Sequence, residues 1–417
     1  MATRKFEEHE HMAPSATRLT ARDAQFREDQ DAAYDALRSS APVYADAAYG
    51  RLLLTRYDDA RQVLRVKEFG VDARQALPGS YMRRVAGTGV AEGRGDSAYA
   101  PPLVLLDDPA HRRIRALMSK AFNPHSIEGM RGRIEAITAE LLAPLAAGAE
   151  IDFIEVFAGP LPTRVIAEMM GVPAQHCADL KRWSDDILRG YDPERDAAAQ
   201  ERLRRAYIAM SELFRQAVAQ RRHAAADDLI GAMVRAQELE DRLSDLEIIS
   251  LCTQLLVAGN VTTTDLLGNG LHALLRHPQQ LEKLRAQPQL IGPAIEEILR
   301  YDCPLTETAR IAYAETEVGG CPVRKGSTLT ASLAAANHDP EQFADPHRFD
   351  IERRDGAHLA FGSGIHLCLG APLARLEGEI CILAFLRRFP AVRLGATAPR
   401  RRDLPFFRGF ESLPVQL

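Results

Sequence analysis

The 417-residue chain has little that would let cysteines act together. Its six cysteines (Cys177, Cys252, Cys303, Cys321, Cys368 and Cys381) are scattered, with no C-x-x-C pair. Neither a disulfide scaffold nor a structural zinc site is therefore expected, and most of these thiols read as small buried hydrophobes. Positive charge is not in excess either. A net charge of -5 and a pI near 6.2 remove the general electrostatic case for nucleic acid, which needs a strongly basic face. No N-terminal apolar run approaches the roughly 20 residues that span a bilayer, and the opening MATRKFEEHEHMAPSATRLTARDAQFREDQD is polar throughout. The expectation is a cytoplasmic protein with no membrane attachment and a flexible N-terminal segment at residues 1–25. Internal repeats and Gly/Ser linkers are also lacking, so residues 26–417 are expected to form one interwoven domain.

What is present is helical. With 46% apolar and 26% charged residues, the chain can bury a large core. DDARQVLRV (58–66), RIEAITAELLAPLA (133–146), ERLRRAYIAMSELFRQAVAQRR (201–222) and PLARLEGEICILAFLRRF (372–389) repeat apolar residues at helical spacing, among about a dozen such segments. Pro173 starts one helix, and Ser244 with Glu247 forms a capping box that opens another. That second helix should run from Leu246 to Leu275, about 45 Å, interrupted only by Gly259, Gly268 and Gly270. Strand signals are confined to the regions around Pro42–Leu54 and Ile311–Leu329. The irregular stretches 75–101 and 335–370 exceed ordinary connection lengths and become functional suspects.

The second of these stretches ends in HLAFGSGIHLCLG (358–370). Gly362, Gly364 and Gly370 allow tight turns and close approach to a flat partner, and Cys368 lies just before a helix beginning near Ala371. Helix-terminal amides beside the sulfur favour thiolate, and a thiolate so held suits iron as an axial ligand. An isolated thiol in a glycine-rich turn would read as structural.

Its surroundings decide otherwise, because the segment resembles the haem-binding loop of the cytochrome P-450 family, F-G-x-G-x-H/R-x-C-x-G, at Phe361, Gly362, Gly364, His366, Cys368 and Gly370. EEILRY (296–301) matches the family's E-x-x-R pair as Glu297 and Arg300, and ADPHRFDIERR supplies Arg353 as the third member of its buried ion network. LLDDPAHRRIRALMSKAF (105–122) resembles the C helix. There, His111 and Arg115 match haem-propionate contacts, as do Arg310 and His358 elsewhere. LLVAGNVTTTDLLGNG (255–270) resembles the oxygen-binding stretch of the I helix: Ala258 and Gly259 match the small residues, Thr262 the distal alcohol, and Thr263 and Thr264 read as satisfying backbone carbonyls. Where relatives carry an acid, this chain has Val261.

The resemblance implies a mainly α fold with small β-sheets, with haem b held between the long I helix and the L helix by Cys368 as cysteinate. It implies a secondary-metabolism monooxygenase inserting one oxygen atom from O2 into a hydrophobic small molecule. Gln254, Val257, Leu305, Thr306 and parts of 80–104 would line the pocket. The chain ends at Leu417 without a flavin or iron–sulfur module, so electrons are expected from a ferredoxin or flavodoxin served by an NAD(P)H-dependent reductase. Arg112, Arg113, Lys120 and Arg375 are candidates for its docking patch on a monomeric enzyme. A peroxide-driven peroxygenase, favoured by Val261 and disfavoured by Thr262, and a non-enzymatic haem or ligand carrier are the competing readings.

Overall fold

One helix, Asp245–Arg276, organises the molecule. The computed structural model of the chain describes residues 19, 20, 22–85, 100–224, 226–240 and 243–417. Residues 1–18, 21 and 86–99 lie outside it, and with them most of the flexible-start expectation and part of the expected pocket wall at 80–104. Ser244 Oγ accepts from Glu247 N at 3.2 Å, and Glu247 Oε2 accepts from Ser244 N at 2.7 Å, so the capping box fixes where the long helix starts. By length and composition this helix could cross a membrane, but 61% of its apolar window is buried inside the protein. It is apolar nearly all round because it is packed nearly all round. Helices Pro160–Met169, Cys177–Leu188, Ala197–His223, Ile291–Tyr301 and Ala371–Arg388 surround it.

Two of its glycines are there for that packing. A Cβ at Gly268 would lie 2.8 Å from Ile154 Cδ1, and one at Gly270 would lie 2.9 Å from Ile382 Cδ1. Gly259 has no such neighbour; the nearest atom is 4.0 Å away. Its small size serves a different purpose, described below.

The expected helices form at Tyr57–Arg65, Arg131–Leu142, Ala197–His223 and Ala371–Arg388, and Pro173 leads through a 3-10 turn into Cys177–Leu188. A five-stranded sheet is built in the order Val43–Asp46, Arg51–Leu54, Thr328–Ser332, Glu307–Ala312, Phe69–Gly70. Only its Arg51–Leu54 and Thr328–Ser332 pairing is parallel. Side chains alternate along Glu307–Ala312: Glu307 turns back to Tyr34 Oη (3.1 Å) and Arg51, whereas Thr308 and Arg310 face the cavity beside the long helix.

Two expectations are corrected. The stretch 75–101 contains the helix Tyr81–Val85. Strand signals also miss the C-terminal pieces: Pro414–Gln416 pairs between Glu150–Asp152 and Arg393–Leu394. These strands are three residues or fewer, too short for alternation to register. The remaining stretch, 335–370, is largely irregular after Asn337, with a 3-10 turn at Gly364–His366.

Candidate active site

Leu251, Gln254, Leu255, Ala258, Gly259, Thr262, Thr263 and Leu266 follow one another at intervals of three, one and three, a single stripe on the long helix. That stripe walls a cavity of about 280 Å³ whose opposite side is the cysteine loop and the start of Ala371–Arg388. Gly259 leaves its part of the wall open. Leu103, Met118, Ile166, Leu299 and Leu305 make most of the remaining lining apolar.

Cys368 is the only exposed cysteine of the six and the only one lining the cavity. Protein atoms crowd the sulfur on every other side. Burial pushes its thiol up, opposed by the N–H groups of Gly370 and Ala371 and by the charges of Arg115 and Arg375. These amides are the helix-terminal donors that the sequence placed there. Gly362 (φ +70) and Gly364 (φ +74) make the turns, and Phe361 O accepts from Cys368 N at 2.9 Å. Gly364 is also a close approach, because a Cβ there would stand 2.2 Å from Leu64 O. Gly370 departs from the expected role: its φ is -82, it caps the helix, and a Cβ on it would meet nothing within 4 Å on the cavity side. It keeps the cavity flat without turning the chain.

Basic groups collect along the cavity. Arg310 is 5% exposed, yet among the described residues its hydrogen bonds run only to neutral oxygens, Ala309 O at 2.8 Å and Thr308 Oγ1 at 3.4 Å. Burial brings its guanidinium down to about 10. Arg115 donates to Leu367 O at 2.7 Å, and burial lowers its guanidinium too. The rings of His111 and His366 lie 4.5 Å apart between centroids, and both Nε2 atoms are buried without a hydrogen-bond partner. Burial holds both imidazoles below their ordinary range, His366 at about 3. Buried ring nitrogens without partners and a buried cation with no hydrogen-bonded carboxylate among the described residues are costly. A flat apolar group with two carboxylates would satisfy them all, and the thiol stands ready to ligate its centre. The residues fit haem b.

Four expected residues are placed otherwise. Val257 is 6% exposed and lies off the cavity stripe, about 100° round the helix from Ala258. Thr306 is held by Phe406 O and Leu333 N, and it faces a smaller recess near Leu19 and Phe26. His358 does not line the cavity; its Nε2 lies 3.3 Å from Glu296 Oε2, near enough to pair as a charge but misaligned for a hydrogen bond. Thr264 does bond backbone carbonyls, at Asn260 O (2.9 Å) and Ala158 O (3.2 Å), but Thr263 lines the cavity with Glu377, whose carboxyl it helps to hold down.

Glu377 was missed in the sequence. It lines the cavity at 2% exposure, and burial, partly offset by Thr263, raises its carboxyl to about 8. The signal existed: Gly370, Leu373, Ala374 and Glu377 continue one helical stripe from the cysteine. Asp265, three residues beyond Thr262, faces away to Arg402 at 2.8 Å.

The ion network forms beneath the loop. Arg300 Nε and Nη2 donate to Glu297 at 2.7 and 3.0 Å, and Arg353 Nε lies 3.2 Å from Glu297 Oε2. Arg300 Nη1 also donates to Asn337 O at 2.9 Å, and Asn337 Oδ1 accepts from Leu359 N at 2.7 Å. A continuous chain of bonds thus joins Glu297 to the segment that carries Cys368.

The sequence profile described as Cytochrome P450 matches residues 163–406. The chain belongs to the cytochrome P450 family. It is 39% identical to 6-deoxyerythronolide B hydroxylase of Saccharopolyspora erythraea over 94% of this P450 and 97% of that protein. Polyketide biosynthesis cytochrome P450 PksS of Bacillus subtilis is 37% identical over 89% and 90%. Among solved structures, the P450 CxnD, for C–S bond formation in chuangxinmycin biosynthesis, superposes with a TM-score of 0.86 at 32% identity, covering 98% of each chain. P450BioI in complex with a ligated acyl carrier protein superposes with a TM-score of 0.85 at 33% identity, covering 94% and 100%. As a P450 the protein is a haem-thiolate monooxygenase whose haem b has a cysteine thiolate as axial ligand.

Proposed function

We propose that this P450 hydroxylates or epoxidises a hydrophobic small molecule bound against the stripe Gln254–Thr262, as a cytoplasmic, monomeric enzyme fed electrons by a separate ferredoxin or flavodoxin. The observation that carries this reading is the opposition of Cys368 to Ala258, Gly259 and Thr262 across an apolar cavity. Cys368 would ligate the haem iron through its sulfur, and His111, Arg115 and Arg310, joined by His366, would hold its propionates by charge-assisted bonds. Haem held in this way supplies reductive activation of dioxygen and transfer of one oxygen atom to an unactivated bond.

The chain's own residues then exclude water, orient the substrate and manage protons. Gln254 Oε1 is buried beside the cavity with no partner among the described residues, so it accepts from a polar substituent of the substrate. Leu305 and Leu255 provide apolar walls. Thr262 Oγ1 donates to Ala258 O at 2.6 Å, leaving its lone pairs to accept from water at the cavity. Glu377, raised to about 8, keeps its proton at neutral pH and supplies the acid that Val261 lacks. This weakens the peroxygenase reading, which rested on the missing acid.

The proposed docking face is less basic than its sequence implies. Arg112 is paired with Asp108 (2.6 Å), Arg113 with Glu247, and Arg375 with Glu296 (2.6 and 2.9 Å). Exposed Ile365 and Leu367 on the cysteine loop add an apolar centre to it. PksS, by its name, directs the first substrate screen to polyketides. The test is turnover under labelled O2 with a ferredoxin and reductase supplied. One labelled oxygen atom in the product is expected; turnover with peroxide but none with the electron-transfer proteins would favour the peroxygenase.

A further inference from the structure

Away from the haem cavity, the fold brings one ligand atom each of Asp31 and of His338 and His347, about 300 residues further on, within 4.8 Å of one another. His338 is 3% exposed, and its Nδ1 stands 3.1 Å from Ala334 O, a contact it can make only as donor. Its Nε2 therefore carries a lone pair, and that atom is buried with no hydrogen-bond partner among the described residues. A second imidazole, His347, lies nearly parallel to it, with ring centroids 5.2 Å apart and planes at 18°. A buried imidazole lone pair beside a carboxylate and a second imidazole lacks a cation.

We propose that Asp31, His338 and His347 form a divalent transition-metal site of zinc type. Two imidazole nitrogens and one carboxylate oxygen are a donor set suited to zinc, with a fourth position for water. Bonds of about 2.0–2.2 Å in a tetrahedron place ligands about 3.4 Å apart, so exposed His347 closes onto the two residues behind it. Asp35 Oδ2 lies 2.8 Å from His347 Nε2, and Arg38 holds Oδ1 of Asp35 at 2.6 Å. That carboxylate restrains the ring, as outer partners of metal-bound imidazoles do.

The consequence is a clamp. Asp31 lies on the helix Gln30–Ser40, while His338 and His347 directly follow Asn337 and Pro346, whose carbonyls both accept from Arg300 Nη1 (2.9 and 2.8 Å). Metal there ties the helix Gln30–Ser40 to the segments that support the cysteine loop.

The test uses the full-length, haem-loaded protein stripped of adventitious metal and titrated with Zn2+. Calorimetry should show one zinc per chain, and a hundredfold excess over Kd should raise Tm by about 3 °C. His347→Ala, at an exposed position, and Asp31→Asn should each weaken binding at least tenfold and cut the Tm shift at the same zinc concentration to about half or less, while leaving the ferrous carbonyl spectrum unchanged. Absence of any zinc-dependent shift in the parent protein overturns the proposal. So does zinc binding of undiminished affinity in both variants, which would place the metal on other histidines.

Discussion

Glu297→Ala removes the acceptor around which the loop-supporting network is built. Its carboxylate accepts twice from Arg300, at 2.7 and 3.0 Å, pairs with Arg353 at 3.2 Å, and accepts from Asp350 N at 2.9 Å. With alanine there, Arg300, 2% exposed, is left as a buried cation without its carboxylate, facing Arg353, whose side chain is 5% exposed and keeps only the half-exposed Asp355 at 3.1 Å as a counter-charge. Breaking a buried pair in this way costs about 3–5 kcal/mol, a large part of the roughly 5–15 kcal/mol that holds a folded protein together. The loss is transmitted through Arg300 and Asn337 to Leu359 N, and so to the cysteine loop. Haem content, from the ratio of Soret to protein absorbance, should fall severely and the melting temperature should drop. Glu297→Gln keeps an acceptor for Asp350 N but no charge, and should lie between the two. A Glu297→Ala protein with parental haem content and melting temperature would refute this chain of support.

Other substitutions test the site itself. Gly364→Ala puts a Cβ 2.2 Å from Leu64 O at φ +74 and should cost about 2–5 kcal/mol with loss of haem, whereas Gly362→Ala, with 4.0 Å of room, should cost about 1–2 kcal/mol; thermal melts compare them. Glu377 binds a proton in the folded protein up to about pH 8 but in the unfolded chain only below its ordinary value near 4.5. Between those values stability should therefore fall as pH rises, by up to ~1.4 kcal/mol per pH unit, and Glu377→Gln should flatten that slope and lower product formed per electron consumed. Thr262→Ala should uncouple similarly, by about tenfold or more; product yield per NAD(P)H oxidised that is unchanged would show the hydroxyl to be dispensable.

The parts of the site that could be read in the sequence are those whose chemistry fixes spacing. The glycines, His366 and Cys368 sit at the spacing of a known motif because one short loop must turn twice and aim one sulfur, and the capping box announced the long helix because its bonds are local. Residues whose role depends on which way a side chain points were harder. Val257 is one position from Ala258, and a single helical step carries it out of the cavity. His358 lies beside the loop, but Glu296 and Arg375, from two different helices, set its surroundings. Glu377 looked like any polar position on an amphipathic helix; only the packing of that helix against Thr263 buries it. Likewise, Glu297 and Arg300 could be read as a helical pair, but the bridge from Arg300 through Asn337 to Leu359 spans separate segments that only the fold brings together.

The ferrous carbonyl spectrum of the purified protein tests the central claim most directly, since it reports whether the Cys368 sulfur ligates iron as an anion. The account predicts the red-shifted Soret band of thiolate ligation in the parent chain and its loss in Cys368→Ser. An unshifted band in the parent, or a red-shifted one that survives in Cys368→Ser, would contradict it.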